Sequence, residues 1–486
     1  MKNIILYFLL FLQLPALCQI SFTKHDVRSD SIIIHSDLAN IQFGIVIDSV
    51  IISGNKLTKE KIILRELTFS TGDTLHALDF GNELKTSRQN LLNTSLFNFA
   101  TLSDSVISDN HFTHVTVTVK LVERWYIWPF PIFEVSDRNF NSWWETKDFN
   151  RVNYGLYLIK ENCRGRMETI KLLLRQGYEE RYELSYTIPY INKKQTLGAG
   201  LGFGWGQNHE IAYQTVNNEL QFVKTDNGYL YKNYFSYFYL RYRPSFFDHH
   251  IIQGGYNFFS FGDTVLKLNP DYSFNNQTTN EYFSLQYRFI SDHRDSKVYP
   301  LTGYFVEGAI TKSGLRFLQN NDISMLEVAG SLRKYSELSE KFHLSGDVSG
   351  KISFNPHQPY FYQKGFGYNR TFVRGYELYV VDGQNYWLWK NTMKYTLVPT
   401  QVKKIGFLNN EKFGRIHYAV YLNWFFDAGY VGAYKNYERD DLSNKMLIGT
   451  GLGLDFVTYY DIVFRIEYSV NRKGESGFFV HFKNTL

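Results

Sequence analysis

The stretch that most constrains this chain is residues 416–429, where two kinds of side chain alternate without a break. Ile416, Tyr418, Val420, Leu422, Trp424, Phe426 and Ala428 fall on one side of an extended segment. His417, Ala419, Tyr421, Asn423, Phe425, Asp427 and Gly429 fall on the other. Successive side chains of a strand point to opposite faces, so the segment predicts a strand with one apolar face and one polar or small face. Hydrocarbon suits the first set, and a wet or protein-filled interior suits the second. Asp427 then points inward.

The same grammar repeats from Arg124 to the C-terminus. Strands are expected to start near Tyr126, Val152, Arg166, Arg181, Thr196, Asn233, His249, Asn280, Gly303, Ile323, Lys341, Asn385, Ile416, Met446, Asp461 and Gly477. That leaves roughly 22 residues for each strand with its loop, against about 9–11 for a membrane-crossing strand. Ile191-Asn192-Lys193-Lys194 and Ser336-Glu337-Leu338-Ser339-Glu340 read as short turns, and Asn355 to Asp382 as a long loop. Short turns on one side and long loops on the other are the habit of transmembrane barrels. After the first 18 residues no run approaches the length of a spanning helix. Strands that cross lipid must close on themselves to pair every backbone group, so residues 124–486 predict a sixteen-stranded antiparallel transmembrane β-barrel.

Composition agrees. Aromatic residues make up 18% of the 486 residues, with 37 Tyr, 41 Phe and 8 Trp. Such residues suit strands and populate the interfacial girdles of barrels. Mean hydropathy is only −0.30, because interior polar residues offset lipid-facing ones. The net charge of +5, from 52 basic and 47 acidic side chains, is dispersed and gives no argument for nucleic acid. Residues 1–18 read as an export signal: Lys2, an apolar run from Ile4 to Leu17, and Ala16-Leu17-Cys18 as the cleavage region. Leu17 before Cys18 argues against a lipoprotein. Removal of Cys18 leaves Cys163 as the sole cysteine, so no intramolecular disulfide is expected. Residues 19–43 read as a polar linker.

Residues 44–123 differ in pattern. A β-branched run from Ile45 to Ile52 ends in a Gly54-Asn55 turn, and helices are expected over 58–67 and 79–93. Strands are expected near 99–105 and 113–122, the second alternating Val115, Val117, Val119 and Leu121 with polar residues.

Two motifs stand out in the last third. Val373-Arg374-Gly375-Tyr376 lies in the long loop, with Phe372 beside it, and Phe425, Asp427 and Gly429 lie on the inward face of the strand that follows the next one. Glycines at every second position, 198–206 and again 449–453, bare one strand face. Both stripes are expected to make room in the lumen for the incoming loop, with simple barrel taper as the alternative. Asp292, Arg294, Pro300 and Gly303 form a D-x-R…P-x-x-G turn. Glu475, Gly477, Val480 and Phe482 fit a polar-x-Gly-x-x-apolar-x-aromatic last strand, four residues short of the end.

Together these motifs resemble the BamA/TamA-type outer-membrane assembly and translocation superfamily, the bacterial surface antigen family, over about residues 44–482. The V-R-G-[FY] and F-x-D-x-G patterns carry the resemblance most closely. It implies one α+β (βααββ) POTRA domain in the periplasm and a barrel in the outer membrane of a diderm bacterium. It also implies a latch in which the loop enters the lumen and pairs Arg374 with Asp427. The function implied is insertion or export of β-rich polypeptides by strand capture and templating at the seam between first and last strands. Unfolded outer-membrane or secreted clients, outer-membrane lipid and accessory lipoproteins would be its partners.

A dedicated two-partner secretion channel is the main rival, although such channels normally carry two POTRA modules. A passive porin or receptor barrel is the other. No catalytic residues, cofactor or metal are expected: G-x-S-x-G, P-loop, H-E-x-x-H and Cys-x-x-Cys signatures are missing. His249-His250 has no third ligand at a useful spacing, and Glu179-Glu180 and Asp440-Asp441 read as solvated pairs.

Overall fold

The computed structural model describes residues 32–33, 44–108, 113–135, 152–315, 323–355, 357–368, 371–404, 415–433, 441–458 and 462–483. The expected export signal lies outside the described residues.

The N-terminal α+β domain comprises β1 (Ile32–Ile33), β2 (Ile45–Ser53), α1 (Glu60–Leu64), β3 (Thr74–Leu75), α2 (Ala77–Asn93), β4 (Phe97–Ser108) and β5 (Thr113–Glu123). Its sheet runs β1-β4-β5-β2-β3. The helices cover one face, burying Ile63, Phe80, Leu84 and Leu91 against Ile45, Ile47, Val115, Val117 and Val119. The alternation of β5 therefore marks its core face correctly. Two edge strands were not expected. Ile32–Ile33, in the stretch read as linker, pairs parallel with β4, and Thr74–Leu75 pairs with the start of β2. Each is two residues long, too short to leave a periodic signal. Helix α1 is shorter than the expected 58–67 because its end tightens: the N–H groups of Glu66 and Leu67 bond the carbonyls of Ile63 and Leu64, three residues back.

The remaining chain forms one sixteen-stranded antiparallel sheet. It begins with β6 (Ile127–Val135), β7 (Val152–Cys163), β8 (Glu168–Gly177), β9 (Glu179–Ile188) and β10 (Leu197–Asn208). A separate hairpin, β11 (Glu210–Val216) and β12 (Glu219–Lys224), stands on the loop after β10. The sheet resumes with β13 (Tyr231–Tyr242) and β14 (Asp248–Phe261), then helix α3 (Asp263–Leu268) and β15 (Thr279–Asp292). Next come β16 (Gly303–Ser313), β17 (Met325–Glu337) and β18 (Phe342–Ser353). The long loop holds a small hairpin, β19 (Lys364–Phe366) and β20 (Val381–Asp382). The last strands are β21 (Asn385–Lys404), β22 (Arg415–Gly432), β23 (Met446–Thr458), β24 (Ile462–Asn471) and β25 (Ser476–Lys483). All sixteen expected starts fall within two residues of an observed one. The loop carrying Arg374 joins the eleventh and twelfth strands of the sheet.

Alternation decides the faces. Phe238, Ile252, Leu332, Trp424 and Leu452 are about half exposed on the outer wall, while Phe425 and Asp427 are buried inside. No helix among the described residues is long and apolar enough to cross a membrane.

The α+β domain seats on the turns at one end of the barrel. Glu66, 2% exposed, takes the guanidinium of Arg243 on both carboxylate oxygens, at 2.7 and 2.8 Å, and accepts from the Tyr190 hydroxyl at 3.0 Å. Arg243 and Tyr190 lie in the turns after β13 and β9. Beside this clamp Glu123 accepts from the N–H groups of Leu57 and Thr58, and Asn162 donates to the Thr58 hydroxyl at 2.8 Å. Gly165 presses so closely that a Cβ there would sit 2.0 Å from the Leu57 carbonyl oxygen. Burial by itself would raise the Glu66 pKa, but hydrogen bonding and attraction to Arg243 hold it below its ordinary 4.5. Burial beside that carboxylate pushes Tyr190 up to about 12.

Removing one partner of a buried pair strands the other, so Glu66→Ala or Arg243→Ala is expected to weaken domain docking by about 3–5 kcal/mol. Hydrogen exchange at residues 57–67 would measure the loss. Because the Glu66 pKa is lowered on docking, the contribution is complete above about pH 4.5 and disappears as pH falls through the depressed value. A pH series from 7 to 3 should show docking unchanged until the acid end, and Glu66→Gln should remove that acid transition.

Candidate functional site

The long loop turns back into the barrel. Val373 and Tyr376 are buried with Phe366 and Val381 against Leu388 and Val431 of the wall and Leu447 of β23. This apolar packing delivers Arg374, 5% exposed, to the inner face of β22. Its Nε and Nη2 donate to Asp427 at 2.8 and 2.7 Å, and its backbone N–H donates to the same carboxylate at 3.2 Å. Nη1 donates to Glu467 of β24 at 3.2 Å, and Nη2 also donates to the Thr392 hydroxyl of β21 at 3.0 Å. The guanidinium carbon lies 3.8 Å from the centre of the Phe425 ring. A planar, permanently charged fork on an aromatic plate is a role lysine could not fill.

Glycine permits the approach. Gly375 has φ +93°, a conformation other residues resist, and turns its N–H onto Glu377 at 2.7 Å. A Cβ on Gly449 would lie 1.8 Å from the Arg374 carbonyl oxygen, and one on Gly429 would lie 2.6 Å from Phe366. Of the 449–453 stripe, Gly449 therefore receives the loop, whereas Cβ atoms on Gly451 and Gly453 would meet Phe425 and Glu467 of the wall. The 198–206 stripe does not receive it, contrary to the expectation. Cβ atoms on Gly200, Gly202 and Gly204 would instead strike Tyr239, Tyr237 and Phe235 of the neighbouring β13. Those rings stack along the strand at centroid spacings of 6.4 and 6.5 Å, using the bare backbone as their bed.

The loop also reaches the last strand pair. Asn471 Nδ2 donates to the Gly375 carbonyl at 2.9 Å, the Tyr379 hydroxyl donates to Glu475 at 2.7 Å, and Phe372 stacks on His481. Glu475, expected only as part of a last-strand signal, thus also anchors the loop. Gly477 lies in β25, and Val480 faces outward at 50% exposure. Phe482 pairs with Phe464 in register, and its side chain lies outside the described residues.

The D-x-R…P-x-x-G turn closes the lumen from the other end. Arg294 grips Asp292 through two hydrogen bonds of 2.7 and 2.8 Å, and Gly303 takes φ +99° beneath the His293 carbonyl. The Pro300 carbonyl accepts from Lys394 at 3.2 Å. Between them Tyr299, which no motif pointed to, stacks on Tyr421 at 4.7 Å and donates to Asp455 at 2.7 Å. Arg465 joins the two systems, donating to both oxygens of Asp455 at 2.6 and 2.7 Å and lying 3.6 Å from Glu467. Polar contacts therefore run unbroken from the loop to the turn. The turn in turn meets helix α2 through Asn93, which donates to the Asp295 carbonyl and accepts from the Lys297 N–H.

Arg374→Ala strands the buried Asp427 carboxylate, while Glu467 keeps Arg465, and is expected to cost the seated loop about 3–5 kcal/mol. Asp427→Ala should cost less, because Glu467 still holds the guanidinium. Exchange protection of residues 364–382 reads both, and the double variant should fall short of the sum by at least about 1 kcal/mol. Strict additivity would mean the pair does not act directly. Gly449→Val should unseat the loop to a similar degree with both charges intact.

Comparison with known proteins places this geometry. Residues 45–124 match the family model POTRA, described as surface antigen variable number repeat. Among solved structures, CdiB from Escherichia coli superposes with a TM-score of 0.53 at 10% identity, covering 90% of this chain and 75% of that one. BamA from Haemophilus ducreyi lacking POTRA domains 1–3 gives 0.46 at 13% identity, covering 90% and 83%. No curated protein sequence matches. Residues 45–124 therefore belong to the POTRA domain family, and the sixteen-stranded sheet that follows shares its fold with CdiB.

Proposed function

We propose that the protein inserts β-rich client polypeptides into an outer membrane, or passes them across it, with its POTRA domain in the periplasm. The observation that carries this reading is the POTRA domain clamped to the base of a barrel whose own loop and turn enter its lumen. A passive porin needs an open lumen and has no use for such a domain. Client capture is supported by the edge of β2: β3 pairs only with Ile45 and Val46, so residues 48–53 lie beyond that short ladder. An extended client adds there as a further strand. The work requires no bond chemistry and no nucleotide, since strand pairing and burial of apolar faces in lipid supply the driving force.

The CdiB-like fold favours a second reading, a dedicated export channel for one client. Depletion in the native host separates the readings. General loss of outer-membrane proteins is expected for an insertion factor, and loss of one secreted protein for an exporter. Altered solute uptake with both intact would overturn the proposal in favour of a porin.

A further inference from the structure

The outer wall over β7–β10 is not evenly convex. A hollow of about 420 Å³ opens near the α+β domain, walled by Ile170, Leu184, Leu201 and Phe203. A second hollow, of about 440 Å³, shares Leu184 and Phe203 with the first and continues to Trp205. The walls are outward positions of their strands: Leu184, Leu201 and Phe203 are 42%, 39% and 50% exposed. Ser236 makes the room, because it is the small outward residue opposite Phe203, between Tyr234 and Phe238. Tyr182 stacks on Trp205 at 5.0 Å and Trp205 on Tyr234 at 6.4 Å, closing the far end with ring faces. Between Tyr186 and Tyr182 the joined trough follows β9 for roughly 13 Å, at about 3.3 Å per residue.

Its mouth is cationic. Glu168, 0% exposed, accepts from Arg164 Nε and Nη2 at 2.8 and 2.9 Å and lies 3.3 Å from Arg166. The Tyr186 hydroxyl also accepts from Arg164 Nη2, at 2.8 Å. Nη1 is the nitrogen that neither partner takes, and the Arg164 side chain remains 62% exposed. Lys160, also exposed, stands across the ladder from Ile170 and lines the same hollow. Lys160, Arg164 and Arg166 thus face one carboxylate. The α+β domain adds to the excess: the Lys59 N–H bonds the Gly165 carbonyl at 3.0 Å, and exposed Lys59 and Lys61 outnumber Glu60 between them.

We propose that this trough seats one anionic phospholipid from the leaflet nearer the α+β domain. An acyl chain lies along Leu184, Phe203 and Ser236, and the phosphate is held by Lys160 and the free edge of the Arg164 guanidinium. A guanidinium presents donors in the fork that phosphate oxygens accept. The surplus of positive charge selects the headgroup. A headgroup amine would be repelled there, so phosphatidylglycerol is preferred to phosphatidylethanolamine. The inference rests on the membrane reading above and not on client handling.

The test places the full chain in nanodiscs of phosphatidylcholine with equal small fractions of phosphatidylglycerol and phosphatidylethanolamine. Lipids that stay with the protein on extraction are then counted by native mass spectrometry. Phosphatidylglycerol is expected to be enriched at least about tenfold over phosphatidylethanolamine, since each basic residue at a lipid surface favours the anion roughly fivefold. Arg164 also steadies Glu168, so the decisive variant is Lys160→Gln, which leaves that pair alone and should lower the enrichment about fivefold. Ser236→Phe fills the trough with every cation in place and should lower phosphatidylglycerol retention to a similar degree. Lys334→Gln, which removes an exposed lysine over the Tyr304 ring elsewhere on the wall, should change nothing. Heat-modifiable mobility checks that each variant keeps its barrel. Equal retention of the three lipids by the unaltered protein would overturn the site and leave the membrane reading standing. An equal loss in Lys334→Gln would reduce the effect to general surface charge and overturn it as well. Retention of no lipid of any class would overturn the site and the membrane reading together.

Discussion

A guanidinium held almost wholly out of water has to be matched, and the inside of this barrel is organised around matching Arg374. Asp427 takes two of its N–H groups, Glu467 a third, and Phe425 lies flat beneath it. Each requirement propagates. The loop must re-enter the lumen, so Val373 and Tyr376 are buried with it; the backbone must pass close to β23, so Gly449 has no side chain. The pair is better understood as setting where the loop sits than as adding net stability, since burying two charges costs about what their attraction returns.

From that point contacts extend in both directions. Toward the far end the loop is tied to Asn471, Glu475 and His481, so the inner faces of the last strands share its position. Toward the α+β domain, Glu467, Arg465 and Asp455 lead to Tyr299 and so to the turn that touches helix α2. Loop and turn enter from opposite ends and meet through side chains of β23 and β24. The gap between β25 and β6 is thus bordered on one side by strands tied to the loop and turn.

Much of this was legible in the sequence because period-two alternation is a local property. The outward run Leu422, Trp424, Phe426 and the inward Asp427 required only counting. Arg374 was legible for a different reason, the resemblance of its motif to a known family. The Glu66–Arg243 clamp was not, because its partners are 177 residues apart and nothing in either local pattern points to the other. Tyr299 was hidden between the Arg294 and Pro300 of its turn motif, at a position the motif leaves open. The glycine stripes had identical patterns and different uses: one beds the rings of β13, the other admits Arg374, and only the neighbouring strands distinguish them.

The sequence by itself determined the number, order and facing of the sixteen strands of the large sheet and the two-part division of the chain, since these follow from alternation and from turn residues within short windows. Only the tertiary structure decided which charges meet and where the domain is clamped. Those outcomes depend on register between strands and on how the loop and turn pack against the inner wall, and both arise from contacts between residues far apart in the chain.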